Sequence, residues 1–209
     1  MFHKRLIEMP SRWVSQLKER FVQESMYMNS LLVWDRSALY WINNHHYPWL
    51  DAILAPISFF GEYDAIWLGI CALMLALNKP GYRPTAITLL LALLVTNILI
   101  VYPLHHLFFR LRPYESLQGI RQWGIRWHEG SFPSGHAYSS WLSVSIIGSC
   151  FTRFKFLLGI FAVLTCYSRP YLGMHYPSDV IAGALIGYWV GYGAVILEQR
   201  RYESGENRL

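Results

Sequence analysis

The chain has 209 residues, of which 54% are hydrophobic, 16% aromatic and only 15% charged, with a formal net charge of +5. Soluble domains carry roughly 25% charged residues, so this composition excludes disorder, a coiled coil and most soluble enzymes. The length suits one domain and leaves little room for a second independently folding unit.

In chain order, residues 1–30 come first and differ from the rest. Lys4, Arg5, Arg12, Lys18 and Arg20 accompany Trp13, Leu17 and Phe21 at four-residue spacing. This predicts a basic amphipathic helix on an anionic membrane face, with a solvated helix as the alternative. Charge continues to Glu24 with no small-residue cleavage site, so a removable signal peptide is not expected.

Five stretches then lack Asp, Glu, Lys and Arg: Ala65 to Asn78, Pro84 to Phe109, Gly130 to Thr152, Phe156 to Ser168 and Val180 to Leu197. A sixth apolar stretch, Pro48 to Phe60, carries Asp51 and either crosses or lies partly in the interface. A bilayer core needs about 20 apolar helical residues, and hydrocarbon leaves no partner for an unpaired backbone group. The expected fold is therefore all-α, an integral membrane bundle of about six transmembrane helices at 48–60, 62–78, 84–108, 137–152, 154–168 and 177–197. Residues 31–198 form the membrane domain and 199–209 a cytoplasmic tail. Cys71, Cys150 and Cys166 sit singly in apolar runs, as small hydrophobes.

Orientation follows from the basic residues in the connections. One side receives Lys79, Arg83, Arg153, Lys155, Arg200, Arg201 and Arg208; the other receives Arg110, Arg112, Arg121, Arg126 and Arg169. The first group is assigned to the cytoplasm. The long connection from Arg110 to Gly135 then lies outside.

Three segments at the outer helix ends carry chemistry: His105 to Pro113, Ser131 to His136 and Ser168 to Asp179. Arg112 and Arg169 offer planar donor forks that match phosphate oxygens. Ser134 and Gly135 open a helix, where free backbone N–H groups and the helix dipole attract an anion. His175 and Asp179 are four apart, a spacing that lets the carboxylate fix the imidazole tautomer and leave one nitrogen as a nucleophile. His136 is then available as general acid to a leaving oxygen. Elsewhere, Trp123, Arg126 and Trp127 read as interface anchors or as a grip on a headgroup or sugar, His45 and His46 as surface residues, and Asn97 as a polar contact between helices.

In this order the segments resemble the type 2 phosphatidic acid phosphatase superfamily, whose signatures are Lys-x6-Arg-Pro, Pro-Ser-Gly-His and Ser-Arg-x5-His-x3-Asp. Pro133, Ser134, Gly135 and His136 match the second signature in full, and Ser168, Arg169, His175 and Asp179 match the third. The first departs from the pattern, because His105 stands where the family has lysine, seven residues before Arg112-Pro113. Either Arg110 or His106 is an alternative source of that charge.

The resemblance covers roughly residues 48 to 197. It implies a metal-free membrane enzyme without a cofactor, in which His175 attacks phosphorus to give a phosphohistidine, Asp179 orients it and His136 protonates the departing group. Arg112, Ser134, Gly135, Arg169 and His105 would hold the phosphoryl oxygens. The implied substrate is a lipid phosphate or diphosphate at the outer face of a bacterial cytoplasmic membrane, with undecaprenyl diphosphate foremost. Phosphatidylglycerophosphate, phosphatidate and lipid A are alternatives because Gly135 in the second signature occurs in phosphatases of those lipids. A phosphotransferase using the same intermediate, or a non-catalytic lipid-binding member, are the rival classes. The expected partners are the lipid substrate and the bilayer, with no nucleic acid.

Overall fold

The computed structural model describes residues 30–206. The amphipathic helix expected in residues 1–30 lies outside the described part, apart from its last residue. The described residues are helical and contain no strand. Helix α1 spans 30–44, and from Leu39 onward the chain forms one compact unit, which carries everything described below. No sequence signal predicted the helix at 30–44.

Helix α2, Pro48–Phe60, begins with a proline at its first position, where the missing N–H costs nothing. It stops at Gly61, and a short 3₁₀ turn, Glu62–Asp64, leads into α3, Ala65–Leu77. Asp64 takes a left-handed backbone conformation at φ 57°, and the two helices are bent by 63° across this break. Helix α4, Tyr82–Thr96, continues through a π turn at Asn97–Val101 into α5, Tyr102–Leu107. Together they make one 26-residue span, apolar enough over its middle to cross a bilayer. The π turn falls where Pro103 has no N–H to continue the regular ladder. A one-turn helix α6, Pro113–Ser116, follows, then α7 (Gly135–Cys150), α8 (Thr152–Tyr171) and α9 (Pro177–Glu206).

Helix α7 is the axis of the bundle. Nearly every side chain from His136 to Gly148 is buried, including Ser139, Ser140, Ser143 and Ser145. Small side chains let a neighbour approach closely, which is how helices associate where lipid removes the hydrophobic drive. The neighbour is α9, whose Gly183, Gly187 and Gly191 repeat at four-residue spacing along the contact. A Cβ on Gly183 would lie 2.5 Å from the Ser134 carbonyl oxygen, and one on Gly187 would collide with the carbonyl of Tyr138. The Ser145 hydroxyl donates to the Tyr188 carbonyl at 3.1 Å across the same seam. On its other side α7 meets α4 in a core that holds Leu89, Leu93, Leu142 and Ile146 together with Trp67 of α3.

Leu91, Leu94 and Leu99 on the long span, and Leu185, Trp189 and Leu197 on α9, are exposed large apolar groups, suited to lipid rather than water. By length and composition the spans Tyr82–Leu107 and Pro177–Arg201 each suffice to cross a bilayer, whereas α2 and α3 meet the same test only when taken together as a bent pair. Helix α7, at 16 residues, is shielded by protein and needs no continuous apolar surface of its own.

Of the two readings of 48–60, a full span or a segment lying partly in the interface, its length suits the second. Thirteen residues rise only about 20 Å, short of a core of about 30 Å. Both ends of α2 also meet the same end of α8. The Tyr47 N–H donates to the Tyr171 hydroxyl at 3.2 Å, while the Ser58 hydroxyl at the other end accepts from Arg169. Helix α2 thus lies across the bundle end that holds the chemically equipped segments.

The long connection after α5 is pinned to that end. Asn43 donates from Nδ2 to the carbonyls of Arg121 and Tyr171, both at 2.9 Å, and its Oδ1 accepts the Arg121 N–H at 2.8 Å. The Arg121 guanidinium pairs with both oxygens of Asp51 at 2.9 and 2.8 Å.

If the α7–α9 seam sets stability, Gly187→Ala lowers the apparent melting temperature in detergent by several degrees, the result of about 1–3 kcal/mol of overpacking. Gly193→Ala, at a position with open space around it, leaves the melting temperature within about one degree of the parent.

Candidate active site

Two arginines come to the site on separate elements. Arg112 precedes Pro113 and caps α6, its N–H donating to Glu115 Oε2 at 3.0 Å. Its guanidinium turns inward, with Nε donating to the Glu129 carbonyl at 3.1 Å and Nη1 to the Met174 carbonyl at 3.3 Å. Arg169 occupies the last turn of α8, donates to the Ser58 hydroxyl, and keeps a buried Nε with no partner among the described residues. They are only 4% and 1% exposed.

His175 lies in the short link between α8 and α9. Its Nδ1 is 2.7 Å from the Ser131 carbonyl oxygen, so that nitrogen carries the proton, and Nε2 accepts from Arg112 Nη1 at 3.2 Å. Burial, together with the cationic Arg112 and Arg169, holds this imidazole well below the ordinary histidine pKa and keeps it neutral. A neutral ring with one nitrogen fixed as donor leaves the other with a lone pair.

Asp179 is placed differently from the spacing argument. Its Oδ2 lies 3.8 Å from His175 Nδ1, beyond hydrogen-bond reach, and instead accepts the Tyr176 N–H at 2.9 Å. This is the helix-capping geometry open to an acidic residue at the third position of α9. The other oxygen accepts from Arg110 Nη1 at 2.6 Å, and the Asp179 carbonyl accepts the Ser134 N–H at 3.0 Å. The carboxylate therefore fixes Tyr176 and Arg110, the Asp179 backbone carbonyl holds the segment that carries Ser134, and the Ser131 carbonyl sets the tautomer.

His136 follows Gly135 at the start of α7, with Nε2 3.0 Å from the Ser58 carbonyl and 3.3 Å from Arg169 Nη1. Ser134 is fully buried, and its hydroxyl has no partner among the described residues. His105 Nε2 is 2.8 Å from the Pro133 carbonyl, so one ring nitrogen is engaged in holding the loop. Arg110 is committed to Asp179 and Ser178 and stacks over Tyr176 at 3.7 Å, and His106 is exposed with Nδ1 on the Tyr102 carbonyl.

His105, Arg112, Gly135, His136, Arg169 and His175 line one cavity of about 280 Å³. Trp127 joins them, whereas Trp123 lies against α2 beside Pro48 and Phe59, and Arg126 is exposed. Asn97 does bridge helices, donating to the Tyr138 hydroxyl at 3.2 Å, and also reaches the cavity wall. His45 and His46 are exposed, as expected.

The sequence reading passed over Glu62 and Asp64, two carboxylates in the same wall. The available signal was two acidic residues inside a long apolar stretch of a membrane chain, where such groups are costly and mark function. Among the described residues no group of three or more His, Cys, Asp or Glu side chains is arranged to hold a metal ion. The site can accept an anion with tetrahedral oxygens, present a nucleophilic imidazole to it and place a second imidazole beside it.

An anion that fills this cavity and binds only the folded state must stabilise it. Inorganic phosphate or vanadate at about 100 times its dissociation constant adds about 2.7 kcal/mol, seen as a raised melting temperature. Arg112→Gln and Arg169→Gln each remove most of that rise.

Residues 85–203 match the PAP2 superfamily. The chain is 29% identical over 158 residues to the undecaprenyl-diphosphatase of Sulfolobus acidocaldarius, covering 75% of each chain. It is 33% identical over 172 residues to the lipid A 4'-phosphatase of Bacteroides thetaiotaomicron, covering 76% of this chain and 74% of that one. The crystal structure of LpxE from Aquifex aeolicus superposes with a TM-score of 0.66 at 26% identity, over 76% of this chain and 93% of that one. With more than half its length matched and its helices arranged as in that structure, this chain belongs to the PAP2 superfamily.

Proposed function

We propose that the protein is an integral membrane phosphatase that removes a phosphoryl group from a lipid phosphate or diphosphate through a phosphohistidine at His175. The observation that carries this reading is the state of that ring: Nδ1 is tied to the Ser131 carbonyl, and Nε2 holds its lone pair in a cavity flanked by two buried arginines.

The Nε2–P bond forms as the P–O bond to the leaving group breaks, and His136 gives that oxygen a proton. Water then attacks phosphorus with His136 as base, the P–N bond breaks and phosphate departs. Arg112, Arg169, the Ser134 hydroxyl and the amides at the start of α7 hold the equatorial oxygens, where fixed donors stabilise charge as it develops. His105, engaged by the Pro133 carbonyl, holds the wall beside the phosphate. No step in this sequence calls for a metal ion.

The proposed site face is extracytoplasmic, in a bacterial inner membrane. Charge supports this: Arg110 and Arg121 at the site end are neutralised by Asp179 and Asp51, while the basic residues of the other end include Lys79, Arg83, Arg200 and Arg201. Undecaprenyl diphosphate is the first substrate to test, by likeness to the Sulfolobus relative; lipid A, phosphatidate and phosphatidylglycerophosphate complete the panel.

His175→Ala abolishes phosphate release from every responsive substrate while the protein still elutes as a folded species in detergent. His136→Ala slows turnover about 10²- to 10⁴-fold and allows an acid-labile phosphoenzyme to accumulate. Excess chelator leaves the parent rate unchanged. Normal turnover by His175→Ala sinks the mechanism, and metal dependence counts directly against it.

A further inference from the structure

The break between α2 and α3 is pressed against His136. A Cβ on Gly61 would lie 2.5 Å from His136 Cδ2 and 3.1 Å from Nε2, and the Ser58 carbonyl is 3.0 Å from that nitrogen. Next in the chain is Glu62, 8% exposed, with Oε1 3.8 Å from His136 Nε2 and 4.0 Å from Arg169 Nη1. Its Oε2 is buried with no hydrogen-bond partner among the described residues.

A carboxylate in the wall of a phosphate cavity opposes the substrate's charge and is costly to bury. Its neighbours indicate what offsets that cost. Around His136, Arg169 projects from α8, Arg112 from the head of α6 and His175 from the α8–α9 link. Asp64 of the same break accepts from the Tyr138 hydroxyl at 3.3 Å. Of the three carboxylates in this wall, Asp64 is engaged by Tyr138 and Glu129 lies 3.8 Å from His105 Nδ1, so Glu62 is the one that faces His136 Nε2.

We infer that Glu62 is a positioning residue that favours the protonated form of His136 against the pull of burial and the neighbouring arginines, so that a proton is available to the leaving oxygen once the anionic substrate is bound. The inference rests on the phosphohistidine reading above. An imidazolium has two N–H groups; one is engaged by the Ser58 carbonyl and the other is the proton that transfers. The transfer breaks an N–H bond of His136, forms the O–H bond of the departing alcohol and leaves His136 neutral, ready to take a proton from the attacking water. Glu62 gains and loses no atom.

The test compares two leaving groups using kcat/KM, which reports steps through phosphoenzyme formation. An n-alkyl phosphate expels an alkoxide that needs a proton, whereas p-nitrophenyl phosphate expels a phenolate that does not. Glu62→Gln lowers kcat/KM about a hundredfold on the alkyl ester and on the order of threefold on the aryl ester. The basic limb of the alkyl pH–rate profile moves about one to three units towards acid, because the charged imidazole has lost its counter-ion. In a His136→Ala background the same change adds little further loss.

Glu62→Asp retains the charge and an alkyl-to-aryl ratio near the parent value. If Glu62→Gln does not fold, Glu62→Asp against Glu62→Asn makes the same comparison of charge at constant shape. Equal losses on both esters, or an unmoved basic limb, overturn the inference and leave the phosphatase reading intact. Phosphate release by His175→Ala from either ester overturns the reading beneath it, and that outcome is scored on a separate variant.

Discussion

Two guanidinium groups held out of water are the constraint from which the rest of the structure follows. Arg112 and Arg169 are almost fully buried, and the carboxylate nearest to Arg169 is 4.0 Å away. Removing a cation from water costs several kcal/mol even after relaxation, so such a pair persists only where many other contacts fix it. The resulting cavity sets these two donor forks beside three imidazoles and the carboxylates of Glu62, Asp64 and Glu129, and the forks match the oxygens of a phosphoryl group.

The bundle meets that cost by close packing. Small residues on α7 and the glycine repeat on α9 bring two backbones together, so the start of α7 and the start of α9 share one hydrogen bond between Ser134 and Asp179. That single contact links the amides expected to cradle phosphate to the turn that bears His175. Asp179 contributes chiefly by holding backbone: it caps α9, engages Arg110 and joins two loops, and the imidazole tautomer is left to the Ser131 carbonyl. A backbone carbonyl is a fixed acceptor that cannot take the proton away, which suits a ring that must keep Nε2 unprotonated.

The opposite wall comes from the broken α2–α3 pair. The break sets Ser58, Gly61 and Glu62 against the second histidine and Arg169, while the other end of α2 is tied through Asp51 to Arg121 and Tyr171. The long connection before α7 is thereby stitched down by Asn43 and Asp51, residues distant in sequence from the signatures they support. Membership in the PAP2 superfamily fits this division: the matched region, 85–203, carries the three signature segments, and the wall that faces His136 lies before it.

By itself the sequence determined the membrane class, the all-helical fold, the positions of the long spans and the choice of His136, His175, Arg112 and Arg169, which the structure brings to one cavity. Those follow from runs without charge and from residue types at fixed short spacing, which are local properties of a chain. Tertiary structure alone decided the partners. Arg110 reaches Asp179 across 69 positions, Asn43 reaches Arg121 across 78 and His136 meets Ser58 across 78, and no local pattern encodes such pairings. The same applies to α2: its apolar stretch resembles a span, but whether thirteen residues pass through a membrane or lie across a bundle end depends on what waits at each end.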